Sequence, residues 1–307
     1  MLPMNEEKKG MLAAGAAYGI FGLSYLFSKM ALNITEPVIL LCLRFTVTVV
    51  LMNLLIAFGA LKLDLKGRKA KRLWLPVLLG LLQPVAYFYL ENYGLKFTTT
   101  SFTGMVSATN PIFTAIAGAL ILREKPNGKQ WVCMGVSIVG VLMVSLQTAS
   151  SGQNTLTGCV CLIAAYAVGS LYSLLVRRLS REYTPFELTY VMFTVGFIAF
   201  ALHAFVRYGA GVFGEMGAAL SHPQFIVSIL YLGGLSSVGA YMLANYSLSK
   251  LTVARSTIFS CMGTVVSVLA GVIFMKDSFS LLSLAAFVLI LCGVWGVNRF
   301  AADEEQG

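Results

Sequence analysis

The chain has 307 residues, of which 58% are hydrophobic and only 11% are charged, and its formal net charge is +9. A soluble domain carries roughly 25% charged residues, so the composition excludes a soluble protein and indicates a polytopic membrane protein. The positive charge does not indicate nucleic-acid binding, because the Lys and Arg residues cluster in short connections between apolar segments. We therefore expect a lipid bilayer, and no nucleic acid, as the surroundings of this chain.

Ten apolar segments follow one another, each close to the roughly 20 residues that a helix needs to cross the hydrocarbon core of a bilayer. They predict an all-α membrane protein with ten transmembrane helices, at residues 11–32, 38–61, 73–95, 98–122, 130–147, 156–176, 186–206, 224–248, 252–275 and 279–298. The longest connections are residues 62–72 and the glycine-containing loop 208–223. No extramembrane domain is predicted.

The second half of the chain repeats the first. Residues 90–144 align with residues 243–297 at a constant offset of 153, and the first parts of the halves, with matches from Gly10 to Val47, align at an offset of 148. A repeat of about 150 residues is far longer than a solenoid unit and indicates a duplicated half-protein. We expect one membrane-embedded body with repeats at 1–149 and 150–307. The informative matches are those that an apolar composition does not supply, such as Asn92 with Asn245, Tyr18 with Tyr166, and Pro37 with Pro185.

The cations predict the orientation of the chain. With a cytoplasmic N-terminus, 17 of the 22 Lys and Arg residues lie on the cytoplasmic side, Arg44 lies within the membrane, and Lys29, Lys96, Arg207 and Lys276 lie outside. The positive-inside rule therefore predicts that both termini are cytoplasmic. Because five helices per repeat is an odd number, the second repeat runs inverted relative to the first, as in many secondary transporters.

A series of short motifs resembles a known family. Arg44 follows Pro37 by seven residues, and later come Gly94-Leu95-Lys96, Thr98, Asn110-Pro111, Glu124, Gly135 and Gly140. Their order and spacing are similar to the EamA-type repeat of the drug/metabolite transporter superfamily, over nearly the whole chain and in two copies. The second copy departs from the pattern, with Met192, Thr264 and Asp277 in place of the arginine, the proline and the glutamate. The halves are therefore not expected to function symmetrically.

The resemblance implies a secondary active transporter of the bacterial inner (plasma) membrane, an exporter or permease for small organic metabolites such as amino acids. It would work by alternating access around a cavity near the middle of the membrane. Two alternatives share this fold, namely an uncoupled facilitator and a carrier of phosphorylated or lipid-linked solutes. A homodimer is also left open.

Two residues with fixed charge lie well inside the predicted helices. Arg44 lies seven residues into the second segment, and Glu91 lies about five residues from the outer end of the third. A charge at such a depth costs several kcal/mol unless it is paired or hydrated, so each is a candidate functional residue. One interpretation is a structural ion pair between them, and the other is a substrate or proton site in the outer half of the bundle.

Polar and aromatic residues near the middle of the segments form a second group of candidates. Gln83, Tyr87 and Glu91 recur every fourth residue and share one helix face. Polar groups that face lipid are unsatisfied, so this face should line the interior of the bundle. The alternative is hydrogen bonding between helices without a cavity. The predicted substrate pathway comprises Tyr18, Tyr25, Gln83, Tyr87, Asn110, Tyr166, Ser237 and Tyr241.

Two prolines, Pro84 and Pro111, predict interruptions near the centres of the third and fourth helices. Other chemistry is not indicated. The chain contains no GxxxxGK[ST], no HExxH and no GxSxG motif, and its two histidines are 19 residues apart. We therefore expect no catalytic residues, no metal and no cofactor. An intramembrane enzyme would require a catalytic cluster, and no such cluster is found in the sequence.

Overall fold

The computed structural model of the chain describes residues 4–61, 63, 74–121, 127–150, 155–251, 256 and 259–304. All regular secondary structure within these ranges is helical, which confirms the predicted all-α fold. The helices are α1 (Met4–Leu32), α2 (Pro37–Ala57), α3 (Trp74–Lys96), α4 (Thr100–Ile121), α5 (Gly128–Ser150), α6 (Leu156–Leu179), α7 (Pro185–Tyr208), α8 (Val212–Leu220), α9 (Pro223–Lys250), α10 (Ser260–Phe274) and α11 (Leu281–Glu304).

Eight helical stretches in the described part of the chain are long and apolar enough to cross a membrane: Glu6–Leu32, Pro37–Ala57, Trp74–Lys96, Thr100–Ile121, Gly128–Leu146, Leu156–Leu179, Pro185–Leu220 and Pro223–Lys250. Two further apolar helices are shorter, Ser260–Phe274 and Leu281–Val297. Several predicted features fall outside the described residues, namely most of the connection 62–72, the ends at 73, 122 and 252, and the motif residue Glu124.

Local sequence explains where several helices begin. Thr184 caps α7, because its hydroxyl accepts from the backbone N–H of Glu187 while the Glu187 carboxylate accepts from the backbone N–H of Thr184. Pro185 follows at the first helical position, where a missing N–H costs no hydrogen bond. The hydroxyls of Thr155 and Thr99 likewise accept from the backbone N–H groups of Gly158 and Phe102 at the starts of α6 and α4. A capping side chain satisfies one of the N–H groups that every helix start leaves unpaired.

The prediction of a loop at 208–223 is wrong. Gly209, with φ of +55°, ends α7, and a single 3₁₀ turn then leads into α8. The α8 segment is apolar enough to bury Val212 and Ala219 against α2, α7 and α9, and this burial favours a helix over an extended loop. Glycine enrichment alone was therefore a misleading signal.

Two helices are interrupted near their centres, and a third is widened there. In α3 a wide turn spans Leu81–Ala86, where Gln83 leaves helical geometry and Pro84 follows. In α4 the helix breaks at residues 108–109, immediately before Asn110 and Pro111. Both breaks confirm the interruptions that the two prolines predicted. In α9 a wide turn spans Tyr231–Ala240 without any proline.

The helices of the two halves pack into one another. Helix α1 packs against α9 and α10, whereas α6 packs against α3 and α4. Helix α2 packs on α7, where Phe45 contacts the rings of Phe193 and Phe200 in the core. Helices α5 and α11 pack mainly against each other, at one side of this assembly. The cavity described next lies among the other helices.

Candidate functional site

A cavity of about 90 Å³ lies between the two halves of the chain. Helices α1, α2, α3, α4, α6, α9 and α10 contribute side chains to it. Gln83 and Ser236 line the cavity from the wide turns of α3 and α9, and Asn110 lines it from the break in α4. Two interrupted helices and the wide turn of α9 therefore border the cavity.

Arg44 extends from α2 into this cavity and is only 2% exposed. Its Nε donates to the hydroxyl of Ser237 at 3.0 Å, and Nη2 donates to the hydroxyl of Ser236 at 3.3 Å. The guanidinium lies over the ring of Phe88, 4.2 Å from the ring centre. Among the described residues, no carboxylate lies within 4 Å of it. The buried charge is thus held by neutral groups.

The wide turn of α9 presents the serines that hold Arg44. Ser236 also accepts a hydrogen bond of 2.8 Å from Ser24 of α1, so this serine joins α1, α2 and α9. On the other side of the turn, Thr48 of α2 donates to the carbonyl of Gly233 at 2.9 Å. These contacts fix the turn against α2 at the level of Arg44.

Glu91 lies on α3, is 6% exposed, and also lines the cavity. The hydroxyl of Tyr87, one turn earlier on the same helix, donates to Glu91 Oε1 at 2.5 Å. A phenol hydrogen bond is a neutral contact, so it stabilises the carboxylate without cancelling its charge. No Lys or Arg from the described ranges forms an ion pair with Glu91 within 4 Å.

Tyrosines and Gln83 connect the remaining walls. Gln83 Nε2 donates to the hydroxyl of Tyr241, which joins the interrupted centre of α3 to α9. The hydroxyl of Tyr166 on α6 donates to Tyr25 of α1 at 3.3 Å and to the carbonyl of Thr103 at 3.2 Å. These hydrogen bonds link helices of the first half to helices of the second half at the cavity wall.

Two buried acceptors at the cavity have no protein partner within the described part of the chain, Asn110 Oδ1 and Ser260 Oγ. A buried polar atom without a partner costs free energy, so such atoms are uncommon in a region that serves packing alone. Asn110 Oδ1 lies near Gly169, where the absence of a side chain lets the ring of Tyr87 pack closely.

Most of the residues predicted from the sequence converge on this cavity. Those that line it are Tyr18, Tyr25, Arg44, Gln83, Tyr87, Glu91, Asn110 and Tyr241. Tyr166 and Ser237 do not line it, but each contacts a residue that does, Tyr25 and Arg44 respectively. The interpretation of Arg44 and Glu91 as a direct ion pair is wrong, because each charge is held separately by neutral partners.

Sequence reasoning missed several polar residues of the cavity lining, among them Ser24, Ser28, Tyr172 and Ser173. Ser173 is equivalent to the predicted Tyr25 at the offset of 148, and Tyr172 is equivalent to Ser24, so applying the repeat to every polar residue would have pointed to these positions. Behind Tyr172, Asn245 accepts from its hydroxyl at 2.7 Å and donates to Thr189 at 2.8 Å. This network joins α6, α7 and α9.

Long apolar helices packed around a buried polar cavity define a membrane-embedded protein with a site for a small molecule. The chain belongs to the EamA-like transporter family, whose sequence profile matches residues 8–146 and 156–299. The family consists of transporters, which confirms the predicted family and agrees with the expectation that the protein is not an enzyme.

Similar proteins cover nearly all of the chain. A Bacillus subtilis protein named as the uncharacterized transporter YcxC is 32% identical over 96% of this chain and 94% of its own length. A probable amino-acid metabolite efflux pump of Salmonella typhimurium is 23% identical, over 96% of both chains. A probable terminal-alkyne amino-acid exporter of Streptantibioticus cattleyicolor is 25% identical over 80% of this chain and 79% of its own. A solved crystal structure superposes with a TM-score of 0.64 at 18% identity over 97% of this chain and 99% of its own, which shows a shared fold.

Proposed function

We propose that this protein is a secondary active transporter that exports small organic metabolites such as amino acids by alternating access around the cavity. The observation that carries the proposal is the cavity itself, in which Arg44 and Glu91 are buried together without pairing. Two relatives that match most of the chain are named for amino-acid efflux or export, which supports this substrate class. The predicted pathway residues form the proposed binding site.

The proposed architecture is ten transmembrane helices in two inverted repeats, 1–149 and 150–307, with both termini cytoplasmic. The separate family matches in the two halves support the repeats. At the offset of 153, the wide turn Leu81–Ala86 falls within the wide turn Tyr231–Ala240. In this arrangement the short helix α8, which connects α7 to α9, lies on the outer side of the membrane. The homologues from Bacillus fit the proposed location in a bacterial inner membrane.

The alternatives with this fold differ in coupling and in substrate. An uncoupled facilitator would move the same solutes without response to an imposed gradient. A carrier of phosphorylated solutes would need several cations at the cavity, whereas Arg44 is the one Lys or Arg among its lining residues in the described part of the chain. Glu91 in the same cavity would also repel a phosphate. These features favour the metabolite transporter.

The test is flux of radiolabelled amino acids by the full-length protein in liposomes, with and without an imposed pH gradient. Gly169→Leu should abolish flux, because even a Cβ at this position would lie 3.1 Å from the Tyr87 ring beside the cavity. Gly135→Leu is the matched control, since a Cβ there meets nothing within 4 Å. Normal flux by the Gly169 variant, or wild-type liposomes that move neither amino acids nor other small organic metabolites, would refute the proposal. Flux that ignores the gradient would instead support the facilitator.

A further inference from the structure

We infer that the cavity is a binding site for a dipolar ligand, in which Arg44 binds a carboxylate and Glu91 binds an ammonium group of the same molecule. This inference rests on the proposed transport function and assigns its substrate contacts. It follows from two charges of opposite sign that line one cavity and that do not form an ion pair with each other.

The first contact is at Arg44. Its guanidinium has five N–H donors, and the contacts to Ser237 and Ser236 use one on Nε and one on Nη2. Nη1 donates to no acceptor in the described part of the chain. The edge formed by Nη1 and Nη2 is therefore available, and this edge matches the two oxygens of a carboxylate. The serines and the Phe88 ring hold the guanidinium in one orientation.

The second contact is at Glu91. The hydrogen bond from Tyr87 fixes Oε1, and Glu91 is only 6% exposed, so its carboxylate has little contact with bulk water. An ammonium group is the complementary ligand, because it brings a positive charge and three donors to a site that holds acceptors. Tyr25 and Tyr87 both line the cavity and supply further phenol oxygens beside it.

Aromatic rings also line the cavity. Phe21 and Tyr241 contact each other edge-on, with ring centres 4.9 Å apart, and Phe88 lies 6.0 Å from Tyr241. The body of the ligand would pack against these rings while its charged groups reach Arg44 and Glu91.

The pair of charges also discriminates against other ligands. A simple amine would leave Arg44 buried without a counter-charge, and a simple carboxylic acid would do the same to Glu91. Leaving a buried charge unpaired is costly, so a ligand that carries both groups is favoured over one that carries either alone.

Binding to the purified full-length protein tests this inference. The twenty common amino acids are screened first, and the tightest binder is compared with its decarboxylated amine and its deaminated acid. In the wild type, loss of either charged group should lower the affinity by about 10- to 100-fold, as expected for a hydrogen-bonded charge. Arg44→Gln should bind the amino acid and the amine about equally, and Glu91→Gln should bind the amino acid and the acid about equally.

Lys96→Gln is the control, because it also removes a charge from α3 but its pair with Glu36 is partly exposed and outside the cavity lining. Its affinity ratios should match those of the wild type. If Arg44→Gln does not fold, Arg44→Lys keeps the charge without the two-pronged edge and should reduce the preference for the carboxylate.

The inference is wrong if the wild type binds no amino acid, or if it binds the amine or the acid as tightly as the amino acid. It is also wrong if Arg44→Gln weakens amino acid and amine by the same factor. If the protein nevertheless moves other metabolites, and Gly169→Leu blocks that flux, the transport proposal still holds. Amino-acid binding with the expected ratios but without flux would refute transport and support this site.

Discussion

Gly80 of α3 and Gly233 of α9 occupy equivalent positions in the two halves, at the offset of 153. A Cβ on Gly80 would meet Val195 of α7 at 2.8 Å, and a Cβ on Gly233 would meet Val47 of α2 at 2.9 Å. Val47 and Val195 are themselves equivalent at the offset of 148. The halves therefore keep the same close helix approach at the same place.

The residues beside these contacts differ between the halves. Arg44 lies next to Gly233, whereas the equivalent residue next to Gly80 is Met192. Glu91 of the first half likewise corresponds to Ala244. The first half supplies both charges of the cavity, and the second supplies neutral hydrogen-bonding groups such as Ser236. Both halves have retained the close helix packing, whereas only the first half carries the charged residues of the cavity.

The largest expected effect comes from moving the charge to the other half. Met192 is fully buried and contacts the Tyr172 hydroxyl through its sulfur. Met192→Arg should lose folded protein, because an uncompensated buried charge costs about 3–5 kcal/mol. Arg44→Met should remain folded and lose flux. The measurement is the monodisperse fraction after detergent extraction, together with flux in liposomes.

The double variant Arg44→Met with Glu91→Gln sharpens this comparison. A structural ion pair would allow the double variant to regain transport. Since the two charges have separate partners, we expect it to remain inactive, and recovered flux would show that the charges serve folding alone.

The second comparison is between the equivalent residues Asn245 and Asn92. Asn245 joins Tyr172 and Thr189, whereas Asn92 donates only to the Phe88 carbonyl and its Oδ1 has no partner in the described chain. Asn245→Ala removes the amide acceptor of the Tyr172 hydroxyl and a donor to Thr189 and should cost about 2–3 kcal/mol, against less than about 1 kcal/mol for Asn92→Ala. Thermal unfolding in detergent measures both, and equal shifts would contradict the asymmetry.

The third comparison is between neighbouring glycines of the α9 turn. Gly233→Ala should destabilise the protein by about 1–2 kcal/mol, because its Cβ would lie 2.9 Å from the Arg44 carbonyl and overpack the crossing of α2 and α9. Gly234→Ala is the control, since the nearest atom to a Cβ there is 3.7 Å away. A larger shift for Gly234 would mean that the turn needs glycine for its backbone rather than for close packing.

The sequence predicted the fold class and the family well, for identifiable reasons. Membrane thickness sets the length of a transmembrane helix, so the length of an apolar segment in the sequence is enough to predict such a helix. Pro84 and Pro111 located two helix breaks because proline lacks an N–H. The wide turn of α9 contains no proline, and Gly233-Gly234 alone did not identify it.

Eight of the 22 residues that line the cavity were predicted, because a polar side chain in an apolar helix must face the interior. The sequence could not show whether Arg44 and Glu91 pair, since the depth of a residue in the membrane does not tell which way its side chain points around the helix axis. The structure keeps them apart because α9 brings Ser236 and Ser237 to the guanidinium. Hydrogen bonds to residues of a distant helix depend on the tertiary packing, which the local sequence pattern does not reveal.

The smallest expected effects concern Tyr18 and Tyr166, which are equivalent in the repeat but differ in surroundings. Tyr18 lines the cavity, and its hydroxyl forms no hydrogen bond with the described residues, whereas Tyr166 is fully buried and donates to Tyr25 and Thr103. Tyr166→Phe should lower the stability by about 1 kcal/mol and Tyr18→Phe by nearly nothing, since only the former loses a hydrogen bond.

Thiol labelling distinguishes the two positions independently of stability. In a background without the six native cysteines, a cysteine at position 18 should react with a polar maleimide, because that side chain borders the cavity. A cysteine at position 166 should react more slowly, since its side chain is covered by its neighbours. Equal labelling at both positions would mean that the halves expose equivalent tyrosines. The asymmetry between them would then be limited to the charges, and Tyr166 would join the cavity lining as the sequence predicted.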